Sequence, residues 1–248
     1  MIDYSAPDFW PILIQNVLQG LVQTLYMTGV ALLVTIVIGL PLGILLVGTE
    51  RRSFLERIGG SRGLSATINR ILNFVVNLGR SVPFIILMIA LIPFTRLVIG
   101  TFIGTTAAIV PLSVVAIPFF ARMVEIAVRE IDPGLIEAAD SLGATRWQLV
   151  SKVLVPETAG ALLLGLSTTV TSIINFSAMV GVVGGGGLGQ VAYSYGYQRY
   201  STAYIVVVII VIFVIVMVVQ ILAGWAARRL AHRIPSTKSR TPLVAPPT

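Results

Sequence analysis

Ser201-Thr202-Ala203-Tyr204-Ile205-Val206-Val207-Val208-Ile209-Ile210-Val211-Ile212 opens a run that carries no charge as far as Ala227. In a water-soluble chain, so many β-branched residues would read as a strand. The uncharged window is far longer than a buried strand of roughly 4–8 residues and matches the roughly 20 apolar residues that span a bilayer core as a helix. Lipid offers the backbone no hydrogen-bond partner, so a helix that satisfies itself is the form this run must take. The fold class is therefore all-α integral membrane.

Composition agrees: 56% of the 248 residues are hydrophobic and 11% are charged, with a mean hydropathy of +0.95, well outside the range of soluble domains. The absence of cysteine excludes disulfides, cysteine metal sites and a thiol nucleophile. Residues Met1 to Asp8 lack the basic start of a cleaved signal peptide, so the first apolar stretch is expected to stay in the mature protein. Asp8 and Glu50 bound an uncharged window that could hold one long helix or two tight spans. Gln15, Gln19 and Gln23 recur every four residues on one helical face, as in a helix leaving the headgroups or facing protein, which favours a single span at about 20–47. Further spans are expected at 72–93, 103–120, 158–180 and 201–227. Residues 1–234 then form one transmembrane domain, and the Pro-, Ser- and Thr-rich tail 235–248 is expected to be disordered.

Basic residues sort by side. Arg51, Arg52, Arg57, Arg62 and Arg70 follow the first span; Arg122, Arg129, Arg146 and Lys152 follow the third; Arg228, Arg229, Arg233, Lys238 and Arg240 follow the last. The other side holds Arg96 and Arg199. Five spans then place the N-terminus outside (periplasmic) and the C-terminus in the cytoplasm. Tyr193, Tyr195, Tyr197, Tyr200 and Tyr204 suit an outer aromatic belt. The net charge of +7 reads as topology determination rather than nucleic-acid binding, because the charges do not form one patch.

Residues 121–157 make a long cytoplasmic excursion. Arg122, Glu125 and Arg129 fall at helical spacing and extend the third span with a charged face. Asp132-Pro133 reads as a cap and first position of a new helix, which Gly143 ends. Leu135, Ala138, Ala139 and Leu142 share an apolar face on this short helix that the loop itself cannot bury. Either a protein partner covers it, or the helix lies flat on lipid headgroups.

Glu137-Ala138-Ala139, then Gly143, then Val153-Leu154-Val155-Pro156 resembles the signature loop of ABC importer permeases, with Val at two positions where Ile and Leu are usual. Arg80-Ser81-Val82-Pro83-Phe84, Ser177-Ala178-Met179-Val180-Gly181 and the glycine run Gly184 to Gln190 are similar to the methionine-uptake branch. The likeness covers residues 15–230. It implies a type I importer fold with five spans, a second copy of the chain, two ATPase subunits at the cytoplasmic face and an external substrate-binding lipoprotein. It also implies that Leu135, Glu137, Ala138, Ala139, Leu142, Gly143, Ala144 and Pro156 couple to the ATPases, whose ATP and Mg lie outside this chain. The cargo implied is methionine, in L- and also D-form, or a close analogue.

Other motifs read more modestly. Gly184, Gly186 and Gly189 satisfy G-x-G-x-x-G, but no βαβ unit surrounds them, so a close-packed or flexible loop is the reading rather than a nucleotide site. Arg80, the one charge inside a span, either lines the path or snorkels to headgroups, and Pro83 predicts a kink beside it. Ser177 and Met179 are gate candidates facing the second copy, with ordinary helix packing as the alternative for Met179. His232 is alone among basic residues and is not a ligand, and Asn175-Phe176-Ser177 matches a glycosylation site inside a span by chance. A membrane enzyme would need clustered acids, histidines or metal ligands within the spans, and a channel a filter-like segment. Neither is present, which leaves an importer permease, for methionine or for another amino acid or small solute.

Overall fold

In the computed structural model, residues 8–50 and 62–231 are described. The expectations that rest on Arg51, Arg52, Arg57, His232, Arg233, Lys238, Arg240 and the tail lie outside them. Among the described residues every regular element is helical.

α1 runs unbroken over Phe9–Gly48; at 1.5 Å per residue its 40 residues reach roughly 60 Å, about twice the bilayer core. α2 (Arg62–Ser81), α3 (Phe84–Ala90) and α4 (Ile92–Ile99) follow, then α5 over Thr105–Arg129. α6 (Pro133–Ser141) and α7 (Arg146–Gln148) form a hairpin, and a π-helical turn, Leu149–Leu154, leads into α8, Val155–Val182. The short α9 (Gly187–Val191) and a second π-helical turn, Ala192–Tyr197, precede α10, Thr202–Ala231. Among the described residues four segments are long and apolar enough to cross a membrane, or five with the bent pair α2–α3.

That bend measures 109° and falls within the expected second span, 72–93. Pro83 cannot donate to the Gly79 carbonyl, and it holds Val82 out of the helical region. The kink expected beside Arg80 is thus a sharp turn that splits the expected span 72–93 between two helices. Asn69 fastens α2 to the end of α1, donating to the Leu46 carbonyl at 2.7 Å and to Thr49 Oγ1 at 2.9 Å.

The core is layered along α1. Leu13 and Val17 pack with Leu188, Val191, Tyr204 and Val208 at one end. Met27 and Ala31 meet Leu112, Val115 and Ile173 in the middle. Ile44 joins Phe120, Val124, Leu149 and Leu154 at the other end. In lipid, helices associate through close packing rather than by escaping water, and α1 against α5 shows how close. A Cβ on Gly43 would sit 2.5 Å from Val124 Cβ and 2.6 Å from the Ala121 carbonyl oxygen, so only glycine fits.

Tyr204, expected in an aromatic belt, is only 4% exposed. It stacks on Tyr195 with centroids 4.7 Å apart and accepts a hydrogen bond from Asn16 Nδ2 at 3.0 Å. This partner on α1 satisfies the phenol inside the protein, so no interface is needed.

Candidate functional site

The α6–α7 hairpin is built almost wholly from local signals. Asp132 Oδ1 accepts from the Gly134 N–H at 2.8 Å, and Pro133 follows at the first helical position, where its missing N–H costs nothing. At the other end Gly143 adopts φ 73°, the left-handed conformation that side chains resist. Its N–H donates to the Asp140 carbonyl and the Ala144 N–H to the Ala139 carbonyl, both at 3.0 Å. These two bonds form the Schellman closure of a helix C-terminus. Thr145 then caps α7 in a reciprocal box with Gln148, and Arg146 bridges back to Asp140 at 2.9 Å.

Pro156 gives the next turn its form. It offers no N–H to the helix, and the Val155 N–H reaches back five residues to the Val150 carbonyl, the longer repeat of a π-helix. Leu149 and Leu154, on this turn, are fully buried.

The coupling candidates divide between two faces. Ala139 is buried in the core layer with Ile44, Val128 and Leu149, and Ile136 and Ala144 pack against that layer. The expectation that Leu135, Ala138, Ala139 and Leu142 form one uncovered face therefore needs correction, since α6 seats Ala139 on the protein's own core. Leu135, Glu137, Ala138 and Gly143 point outward, and Leu142 is 88% exposed. Trp147, which belongs to none of the motifs above, is also exposed, at the lip of a 540 Å³ apolar groove between the hairpin and Leu40, Pro41 and Leu45 of α1. A lone Trp between a capping Thr and Gln in a polar loop was the available signal.

Beneath the hairpin lies a second feature hidden from the sequence. Glu125 is 1% exposed and receives Arg122 at 2.6 Å and Arg129 at 2.7 Å, and Arg129 also reaches Glu50 at the end of α1. The spacing of Arg122, Glu125 and Arg129 gives a charged face on the extension of the third span, and an exposed one would need no internal partner. Instead the carboxylate is buried and neutralised by two cations, which is what a buried charge requires, and the network ties α5 to α1.

Of the gate candidates, Ser177 and Met179 sit toward the opposite end, in the last two turns of α8. Ser177 is buried, its Oγ donating to the Ile174 carbonyl at 2.7 Å, so it serves its own helix. Met179 is 40% exposed on the surface of α8. Arg80 is exposed in the last turn of α2, just before the bend. The glycine run near Met179 is tightly packed: Gly184, Gly186 and Gly187 all have positive φ, and α1 holds the loop through Gln23 Oε1, which accepts from the Gly187 N–H at 2.8 Å, and Thr24 Oγ1, which accepts from the Leu188 N–H at 2.9 Å. Among the described residues no group of His, Asp or Glu is placed to hold a metal ion.

Residues 39–232 match the family of binding-protein-dependent transport system inner membrane components. The chain is 46% identical over 211 residues to the probable D-methionine transport system permease protein of Vibrio cholerae, covering 85% of this chain and 90% of that one. It is 42% identical over 163 residues to the methionine import system permease protein of Bacillus subtilis, covering 66% and 73%. Among solved structures, a chain of the MetNI methionine ABC transporter in inward-facing conformations superposes with a TM-score of 0.81 at 42% identity, covering 91% of this chain and 99% of that one.

Proposed function

This chain belongs to the family of inner membrane components of binding-protein-dependent transport systems, and from that premise we propose that it is the permease subunit of an ATP-driven importer of methionine or a close analogue. It is a transport component and not an enzyme. In this reading two copies pair across a two-fold axis, because one set of five spans is too few to enclose a path. Two ATPase subunits, which themselves hold and hydrolyse ATP with Mg, dock on the α6–α7 hairpins, and an external binding lipoprotein delivers the solute. The N-terminus then lies outside and the C-terminus in the cytoplasm, consistent with a described chain that starts at one end of the helical bundle and finishes at the other.

One observation carries the reading: a locally locked hairpin exposes Leu135, Glu137, Ala138 and Leu142 while rooting Ala139 in the core that joins α1, α5 and α8. A rigid knob anchored in the spans can pass a push from a soluble motor to the membrane helices. Gly143 permits its turn and Pro156 marks its return to the span. Ser177, Met179 and Arg80 remain the gate and path candidates. The substrate reading, including both hands of methionine, draws on what the relatives are named for.

The test is a reconstituted complex of permease, ATPase and binding protein in nanodiscs. Binding protein loaded with L- or D-methionine is expected to stimulate ATP hydrolysis. Stimulation by a different amino acid alone would move the chain to another substrate, and no stimulation by any solute would remove the importer reading.

A further inference from the structure

At the end of the bundle opposite the hairpin, roughly 35 Å from Ile44 along α1 at 1.5 Å per residue, lies a 360 Å³ polar pocket lined by Gln19, Gln23, Gln190, Ser194, Tyr195 and Arg199. We propose that it is a receiving site for a small carboxylate-bearing solute, with Arg199 holding the carboxylate.

The size falls within the range of small-molecule sites, about 300–1,000 Å³. The lining has a consistent polarity. Gln23 is fixed by its oxygen, which accepts from the Gly187 N–H, so its amide N–H donors are what it has left to offer. The side chains of Gln19, Gln190 and Ser194 have no hydrogen-bond partner among the described residues. The Arg199 guanidinium lies over the Tyr195 ring at 4.7 Å, and the ring is itself stacked on buried Tyr204. This cation–π contact steadies the plane of the guanidinium while its N–H fork stays available. Arg199 faces no carboxylate among the described residues, and no acidic side chain lines the pocket.

A fork of donors with amide and hydroxyl donors around it matches a carboxylate. The amide oxygens of Gln19 and Gln190 can accept from an ammonium on the same solute, so a zwitterionic amino acid fits. A simple cation does not, because Arg199 would repel it. Gln19 and Gln23 of the glutamine row on α1 thereby gain a role beyond leaving the headgroups or facing protein.

The proposal rests on the importer reading only for its choice of probe. The chain has no cysteine, so Ser194→Cys in the assembled complex gives a single reactive thiol in this subunit. Its modification by a water-soluble maleimide is followed in nanodiscs without binding protein. L-Methionine is expected to slow the reaction saturably, about tenfold at ten times the half-protecting concentration. Methioninol, which lacks the carboxylate, is not expected to protect. Arg199→Gln should raise the half-protecting concentration at least about tenfold, with protection in each variant taken relative to its own unprotected rate because loss of the guanidinium also alters the thiol's reactivity, and Arg199→Lys should fall between the two.

No protection by methionine up to about 10 mM, above the range of weak millimolar sites, would overturn the proposal. So would equal protection by methioninol, protection that requires the binding protein, or protection set by anionic lipid content alone. Methionine uptake is measured in parallel in sealed proteoliposomes of the same complex with binding protein: uptake with an unprotected thiol removes the pocket and leaves the importer reading standing, whereas protection without uptake supports the pocket and removes that reading.

Discussion

Gly143 offers the sharpest test of the hairpin, because its neighbours contribute nothing to the cost of replacing it. At φ 73° a Cβ at this position would meet no atom within 4 Å, so a substitution is resisted by backbone torsion alone. That cost is about 1–2 kcal/mol for an ordinary side chain, smaller for Asn, which tolerates the left-handed region, and larger for a β-branched residue. Relief requires Gly143 to leave this conformation, which breaks the two 3.0 Å closing bonds from Gly143 and Ala144. A docking partner that needs the closed hairpin sees its apparent affinity fall by the closed fraction, and each 1.4 kcal/mol is tenfold. Gly143→Asn should therefore weaken ATPase binding by a few-fold at most. Gly143→Ala should approach about tenfold, and Gly143→Val should exceed it. The assay is titration of the ATPase onto permease in nanodiscs, with melting temperature confirming that the spans remain folded. Equal losses across the three variants, or wild-type affinity for Gly143→Val, would refute the reasoning.

Two further perturbations probe separate parts of the molecule. Glu125→Gln leaves Arg122 and Arg129 facing a neutral group at a fully buried position; because both arginines are partly exposed, the expected loss is about 2 kcal/mol, below the range for a wholly buried pair, read as a lower melting temperature in detergent. Met179→Ala removes a side chain that is 40% exposed, so melting should change little, while hydrolysis of ATP without binding protein should rise if Met179 seals the path against the second copy; unchanged hydrolysis would return it to ordinary packing.

The fold class was legible because a bilayer imposes a length and a charge rule on any chain that crosses it. The uncharged stretch from Ser201 to Ala227 reads as a membrane helix however strand-like its composition, since only a helix satisfies that backbone in lipid. The hairpin was equally legible: Asp132, Pro133 and Gly143 act within four residues of themselves, and each has a conformational preference that holds in any context. The 109° turn at Pro83 was visible only as a kink of unstated size. Its size depends on what packs against the two arms, with Phe84 stacked on Phe176 of α8.

What stayed hidden has a single physical cause. Tyr204 takes its hydrogen bond from Asn16, a sequence separation of 188, and Gln23 holds Gly187 across a separation of 164. Arg129 reaches Glu50 across 79. Each residue alone has a reading that names no partner: a belt tyrosine, a glutamine leaving the headgroups or facing protein, a charged helix face. Each is polar at a place where the alternatives to water are few, so its role is decided by whichever distant group the packing delivers. In a membrane chain this matters more than in a soluble one. Apolar residues can face lipid or protein with little difference in free energy, so it is the polar residues that mark which helix faces meet, and their partners appear only when the helices are assembled.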